Sequence, residues 1–169
     1  MLNTRAPLLI YTFFAMFLLQ ACSGNGFHLR ENVDLPSRYQ KIKLENISYG
    51  NNFVKTFEEA LEESGGELVN SSSNTIIKIN NFREGKRVIA YTSTRKAREF
   101  LLSLKFDYSI KSIKNSVLSS EKYRINLDRV FIYDADFALG KEEEESKIRQ
   151  NLYEEAARII LLKLQYGKE

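Results

Sequence analysis

The chain is 169 residues long, with 25 Lys and Arg against 22 Asp and Glu, one histidine and one cysteine. A net charge of +3 falls well short of the basic excess a nucleic-acid-binding protein carries. With a single histidine and a single cysteine there is no zinc site of the usual kinds and no Cys/His or Ser/His pair for nucleophilic catalysis. No Gly-rich phosphate loop or pair of strand-end carboxylates stands out either. The expectation is a protein that is not an enzyme, with no cofactor, no metal and no nucleic-acid partner.

Arg5 precedes an apolar run from Pro7 to Leu19, the pattern of a secretory signal peptide. As a helix those thirteen residues span only about 20 Å, against roughly 30 Å of bilayer core, which disfavours an uncleaved membrane anchor. The run ends in Leu19, Gln20, Ala21 and Cys22, which looks like a lipobox: lipid joins the cysteine thiol and the chain is cut before it. A buried free thiol is the other use of a lone cysteine. Export to an oxidising compartment without a possible internal disulfide makes anchoring the use that fits. Several acyl chains at about 0.8 kcal/mol per buried methylene give stable attachment. Ser23, where inner-membrane lipoproteins commonly carry aspartate, points to the outer membrane. Loss of residues 1–21 removes one charge, Arg5, and leaves enough chain for one domain with its own core.

After the turn-type residues Asn32–Arg38, Tyr39–Ile47 alternates, with Ile42 and Leu44 on one face, and predicts a strand. Asn51 or Asn52 then caps a helix with Phe53, Phe57, Ala60 and Leu61 on its apolar face, ended by Gly65 and Gly66. Asn70–Asn74 reads as a loop. Thr75–Thr92 is strand-like in two phases, and the slip beside Glu84 and Gly85 suggests a β-bulge there. Ala97–Lys111 is the clearest strand, with Phe100, Leu102, Leu104, Phe106, Tyr108 and Ile110 on one face. A turn at Ser93–Lys96 pairs it with the preceding strand at nearly equal length. A polar loop at Ile113–Ser120 leads to an antiparallel strand, Tyr123–Tyr133. A connection through Asp134 and Asp136 leads to a helix starting near Glu142, whose stripe is Ile148, Leu152, Ala156, Ile159, Ile160 and Leu164. The acidic run Glu142–Glu145 reads as a solvated first turn, well placed at the positive end of the helix, rather than a metal cluster.

The order β-α-β-β-β-α predicts an α/β (α+β) two-layer sandwich, a four-stranded mixed sheet with both helices on one face. The expected layout is a signal peptide at 1–21, a lipidated tether at 22–38 and a single domain at 39–169. The two hairpins bring Arg95, Lys96 and Arg98 to the same end of the sheet as the loop carrying Lys141. Four cations at one rim suit an anionic ligand or an acidic partner, and they are also what solvated loops ordinarily carry.

Beyond the lipobox, Gly26-Phe27-His28-Leu29-Arg30 follows the cysteine and Leu35-Pro36 precedes the first strand. Ala138-Leu139-Gly140-Lys141 leads into a helix containing Leu152-Tyr153-Glu154-Glu155-Ala156-Ala157. In these elements and their order the sequence resembles the LPS-assembly lipoprotein LptE family over essentially the whole chain after Cys22. Ser23, Gly24 and Asn25 separate the cysteine from a glycine that in the family usually follows it directly, which lengthens the tether. The resemblance implies a lipid-anchored subunit that plugs the outer-membrane β-barrel LptD, aids its assembly and binds lipopolysaccharide. It also implies lipopolysaccharide contact by Lys141 and by the hairpin tip, where Arg95 and Lys96 lie, although Ser93-Thr94-Arg95-Lys96 does not align cleanly with the family. A structural or assembly subunit of the outer membrane that binds no ligand is the alternative.

Overall fold

A computed structural model describes residues 35–73, 75–112, 121–132 and 141–166. Cys22, the segment Gly26–Arg30, the loop at 113–120 and the Ala138–Gly140 element lie outside the described residues.

The chain enters through Leu35 and a short 3-10 turn, Ser37–Tyr39, into β1 (Lys41–Glu45). The Asn51 side chain accepts a hydrogen bond from the Phe53 amide at 2.8 Å and starts α1 (Asn52–Glu63). Gly65 ends it at φ +77, with its amide on the Glu62 carbonyl and the Gly66 amide on that of Leu61, a Schellman closure. Gly66 has no room for a side chain: a Cβ there would lie 2.4 Å from Leu61 Cδ1 and 3.3 Å from Leu35 Cδ1. A two-residue strand, β2 (Glu67–Leu68), follows. Then come β3 (Thr75–Tyr91), β4 (Ala97–Ser112), β5 (Glu121–Ile132) and α2 (Lys141–Tyr166).

The sheet order is β2-β1-β3-β4-β5, parallel at β1–β2 and β1–β3 and antiparallel elsewhere. The mixed sheet and the two helices are as the sequence predicted, with five strands instead of four. The added strand is β2, too short to show any periodicity.

Both helices cover one face. Phe53 of α1 packs against Phe106 at 5.2 Å, Phe82 at 5.7 Å, Phe57 at 6.1 Å and Tyr153 at 6.4 Å between ring centroids. Thr56 and Gln150 join the helices by a hydrogen bond of 3.2 Å. The buried face of α2 differs from the predicted stripe. Leu152, Ala156, Ile160 and Leu164 are in the core, together with Tyr153, Ala157 and Leu161, whereas Ile159 is 37% exposed. Over 26 residues the 3.6-residue period carries Ile159 off the buried side.

The bulge in β3 also lies elsewhere. Register shifts between Asn80 and Arg83, not at Glu84–Gly85. Asn81 takes φ +55 there, a conformation asparagine tolerates better than most residues. Its amide donates to Asp107 Oδ2 at 3.0 Å, and Arg124 Nε donates to Asp107 Oδ1 at 2.7 Å. Hydrogen bonding from Arg124, then from Asn81, holds the Asp107 carboxyl below its usual range. The bulge turns Phe82 inward onto Phe53 and Phe106, which is the packing reason for its position.

Candidate functional site

Three of the predicted site residues, Arg95, Lys96 and Arg98, fall at the hairpin joining β3 and β4. The turn is closed by the Thr92 amide on the Lys96 carbonyl at 2.8 Å and the Arg95 amide on the Thr92 carbonyl at 3.0 Å. The Thr92 hydroxyl accepts from the Lys96 amide at 3.1 Å. Arg95 sits at φ +61, a left-handed conformation costly for a side chain of its kind, so the turn holds it in place.

Arg95, Lys96 and Arg98 are exposed. Their side chains make no hydrogen bond or ion pair with the described residues. Arg98 lies where the ladder slips, since Glu99 pairs with Ala90 and Ala97 with Tyr91. It thus stands apart from Arg95 and Lys96, which share the turn.

Lys141 is the first residue of α2; its side chain lies outside the described part. Two ion pairs mark where its helix lies on the sheet. Lys86 and Arg129 occupy one row of the sheet, both opposite Leu102, yet Lys86 meets Glu145 and Arg129 meets Glu155. Ten helical residues rise about 15 Å, so α2 crosses the strands obliquely. Glu145, just past its first turn, meets Lys86 on β3 in the half of the strand nearer the hairpin, and Lys163 lies over the Tyr123 ring, 4.6 Å from its centroid, at the other end. The start of α2 and the hairpin are therefore at the same end of the sheet, although β3 and β4 run on past Lys86 to the turn.

Lys86 was not apparent as a site residue. Its ammonium also sits 4.6 Å from the centroid of the Phe100 ring, and Glu145 is shared with Arg149 at 2.8 Å. Burial raises the Glu145 carboxyl, but Lys86 and Arg149 outweigh it and hold the group below its ordinary value. Three of the four acids, Glu142, Glu143 and Glu144, are exposed as expected, and the fourth is a clamp.

At the opposite end, burial pushes the Tyr108 hydroxyl up to about 12. Burial, with a hydrogen bond to Glu121, does the same for Tyr123, also to about 12. Among the described residues no grouping of His, Cys, Asp or Glu could hold a metal ion, and no helix is long and apolar enough to cross a membrane.

These features define a two-layer α+β domain whose longest hairpin ends in a basic turn. A family model described as LptE, lipopolysaccharide-assembly, matches residues 39–164, and the chain belongs to that family. The LPS-assembly lipoprotein LptE of Photorhabdus laumondii is 24% identical over 144 residues, covering 84% of this chain and 78% of that protein. Two solved structures share the fold. Lipoprotein B from Nitrosomonas europaea has a TM-score of 0.65 at 23% identity, covering 83% of this chain and 90% of its own. Rare lipoprotein B from Shewanella oneidensis has a TM-score of 0.61 at 14% identity, covering 73% and 92%.

Proposed function

We propose that this chain is a non-enzymatic outer-membrane lipoprotein, anchored through lipid on Cys22, that plugs the LptD β-barrel. Its basic hairpin binds lipopolysaccharide during assembly at the cell surface. The observation that carries the ligand reading is the unpartnered pair Arg95 and Lys96 in a closed turn, at the same end of the sheet as the start of α2. Lipid A phosphates there accept charge-assisted hydrogen bonds from Arg95, Lys96 and Lys141. Family membership supports the lipopolysaccharide-assembly role. Residues 1–21 act in this reading as a signal peptide, 22–38 as the tether and 39–169 as the domain.

The test is a pull-down of the tagged, lipidated protein from detergent-solubilised outer membranes, with the eluate assayed for a large heat-modifiable barrel and for lipopolysaccharide. The barrel is expected in about equal amount. Lipopolysaccharide is expected with the wild type and lost with the double variant Lys96→Glu, Lys141→Glu, whose barrel recovery and folding stay unchanged. Unaltered lipopolysaccharide recovery refutes the site. Barrel without lipopolysaccharide in the wild type leaves a purely structural subunit.

A further inference from the structure

A second group of cations without partners lies at the end of the sheet opposite the hairpin. Ile77 and Ile79 on β3, Tyr108 on β4 and Ile125 on β5 are buried, so by alternation Lys78, Ser109, Lys111 and Lys122 point to the other face. Ser109 is opposite Lys78 on one side and Lys122 on the other, which sets the two lysines about 10 Å apart across β4. Lys111 is further along β4, about 7 Å from Ser109. The three lysines thus stand on three sides of the Ser109 hydroxyl.

None of the three makes a hydrogen bond or ion pair with the described residues, because the neighbouring acids are engaged elsewhere. Glu45, opposite Lys78, holds Lys43 at 3.3 Å. Asp107 takes Arg124 at 2.7 Å and the Asn81 amide at 3.0 Å, and Lys122 is the weakest of the influences that hold its carboxyl down. Glu121, beside Lys122, accepts from the Tyr123 hydroxyl. Flexible four-carbon stems let the three ammonium groups converge on one anion, and a phosphate has oxygens enough to accept from all of them and from Ser109. Lys111 is opposite Ile76, and from there to Tyr91 β3 extends roughly 50 Å, so this cluster is separate from the hairpin turn.

We propose that Lys78, Lys111 and Lys122 form a phosphate-binding site with Ser109 at its base. The phosphate is free or is carried by a phospholipid headgroup. The chain enters at this end, where the Thr75 hydroxyl donates to the Arg38 carbonyl at 3.4 Å, which favours the headgroup. That preference alone rests on the Cys22 anchor proposed above.

The test is titration calorimetry of the full, lipidated protein in neutral detergent. One probe is inorganic phosphate and the other is detergent micelles containing phosphatidylglycerol. The wild type is expected to bind both, and Lys78→Gln with Lys122→Gln to weaken both roughly tenfold. Lys43→Gln with Lys105→Gln removes as much charge from the same face, but from residues paired with Glu45 and Asp128. It should change either affinity by no more than about twofold. An equal loss in both double variants overturns the site and leaves only a diffuse positive field. Absence of binding to either probe by the wild type overturns it as well. Binding of inorganic phosphate alone upholds the site and assigns it to a free anion. Mass spectrometry of Cys22 tests the anchor separately, and an unlipidated cysteine removes the preference for the headgroup without touching the phosphate result.

Discussion

Replacing Lys86 with Met removes one charge while leaving an unbranched stem on Phe100. In the wild type the ammonium pairs with Glu145 and lies 4.6 Å from the Phe100 ring centroid. The two side chains of the ion pair are 37% and 20% exposed, so the pair contributes at most about 1 kcal/mol, and the cation–π contact adds about 0.5–1 kcal/mol. The expected loss is about 0.5–2 kcal/mol at pH 7. For a domain of roughly 130 residues, with an unfolding entropy of about 2.1 cal/mol/K per residue, the melting temperature falls by about 2–7 °C. The pH dependence separates the two contributions. Glu145 has a lowered pKa in the folded state, so its pairing stabilises above the unfolded value of 4.5 and is lost as pH falls through the folded value. The ring contact does not involve the Glu145 carboxylate and persists. Thermal or urea unfolding followed by circular dichroism should show the gap between wild type and variant shrinking to about half between pH 7 and pH 3. A gap that is absent at pH 7, or identical at both values, refutes this account of how α2 is held over the hairpin.

Phe53→Ala empties the centre of the aromatic cluster and should cost about 3–5 kcal/mol in urea unfolding; a loss below 1 kcal/mol means the core closes over the gap. Arg95→Gly relieves the φ of +61 while removing a proposed ligand cation. Its stability should stay within about 1 kcal/mol of the wild type as lipopolysaccharide binding weakens. Strong destabilisation would show that the arginine supports the turn rather than the ligand.

Local features were legible in the sequence. The Asn51 cap, the Gly65 stop and the turn near Ser93–Lys96 are each decided by residues within a few positions, and long alternation exposed β4 and β5. What escaped depends on distant partners. The bulge went to Glu84–Gly85 because glycine signals irregular strand, whereas Phe82 is drawn inward at Asn81 by Phe53 and Phe106. Ile159 fits the helical spacing, but the oblique course of α2 turns Tyr153, Ala157 and Leu161 to the core instead. Lys86 and Glu145 are 59 residues apart, and nothing local joins them. At the site, hairpin pairing alone placed Arg95 and Lys96 together at the tip. That Val130 and Ile132 stay exposed was hidden because strand alternation reports two faces without saying which is covered.

The length of β3 sets a scale. Seventeen residues at about 3.3 Å each extend roughly 55 Å, more than the 40–45 Å of a bilayer with its headgroups. The chain comes in at Leu35 beside the start of this strand, where the Thr75 hydroxyl donates to the Arg38 carbonyl at 3.4 Å, and the basic turn is at the far end. In the proposed reading, a domain anchored at one leaflet through that end has a hairpin long enough to set Arg95 and Lys96 level with the opposite leaflet. The charge then reaches across without travel by the domain, given an enclosure wide enough to admit the hairpin.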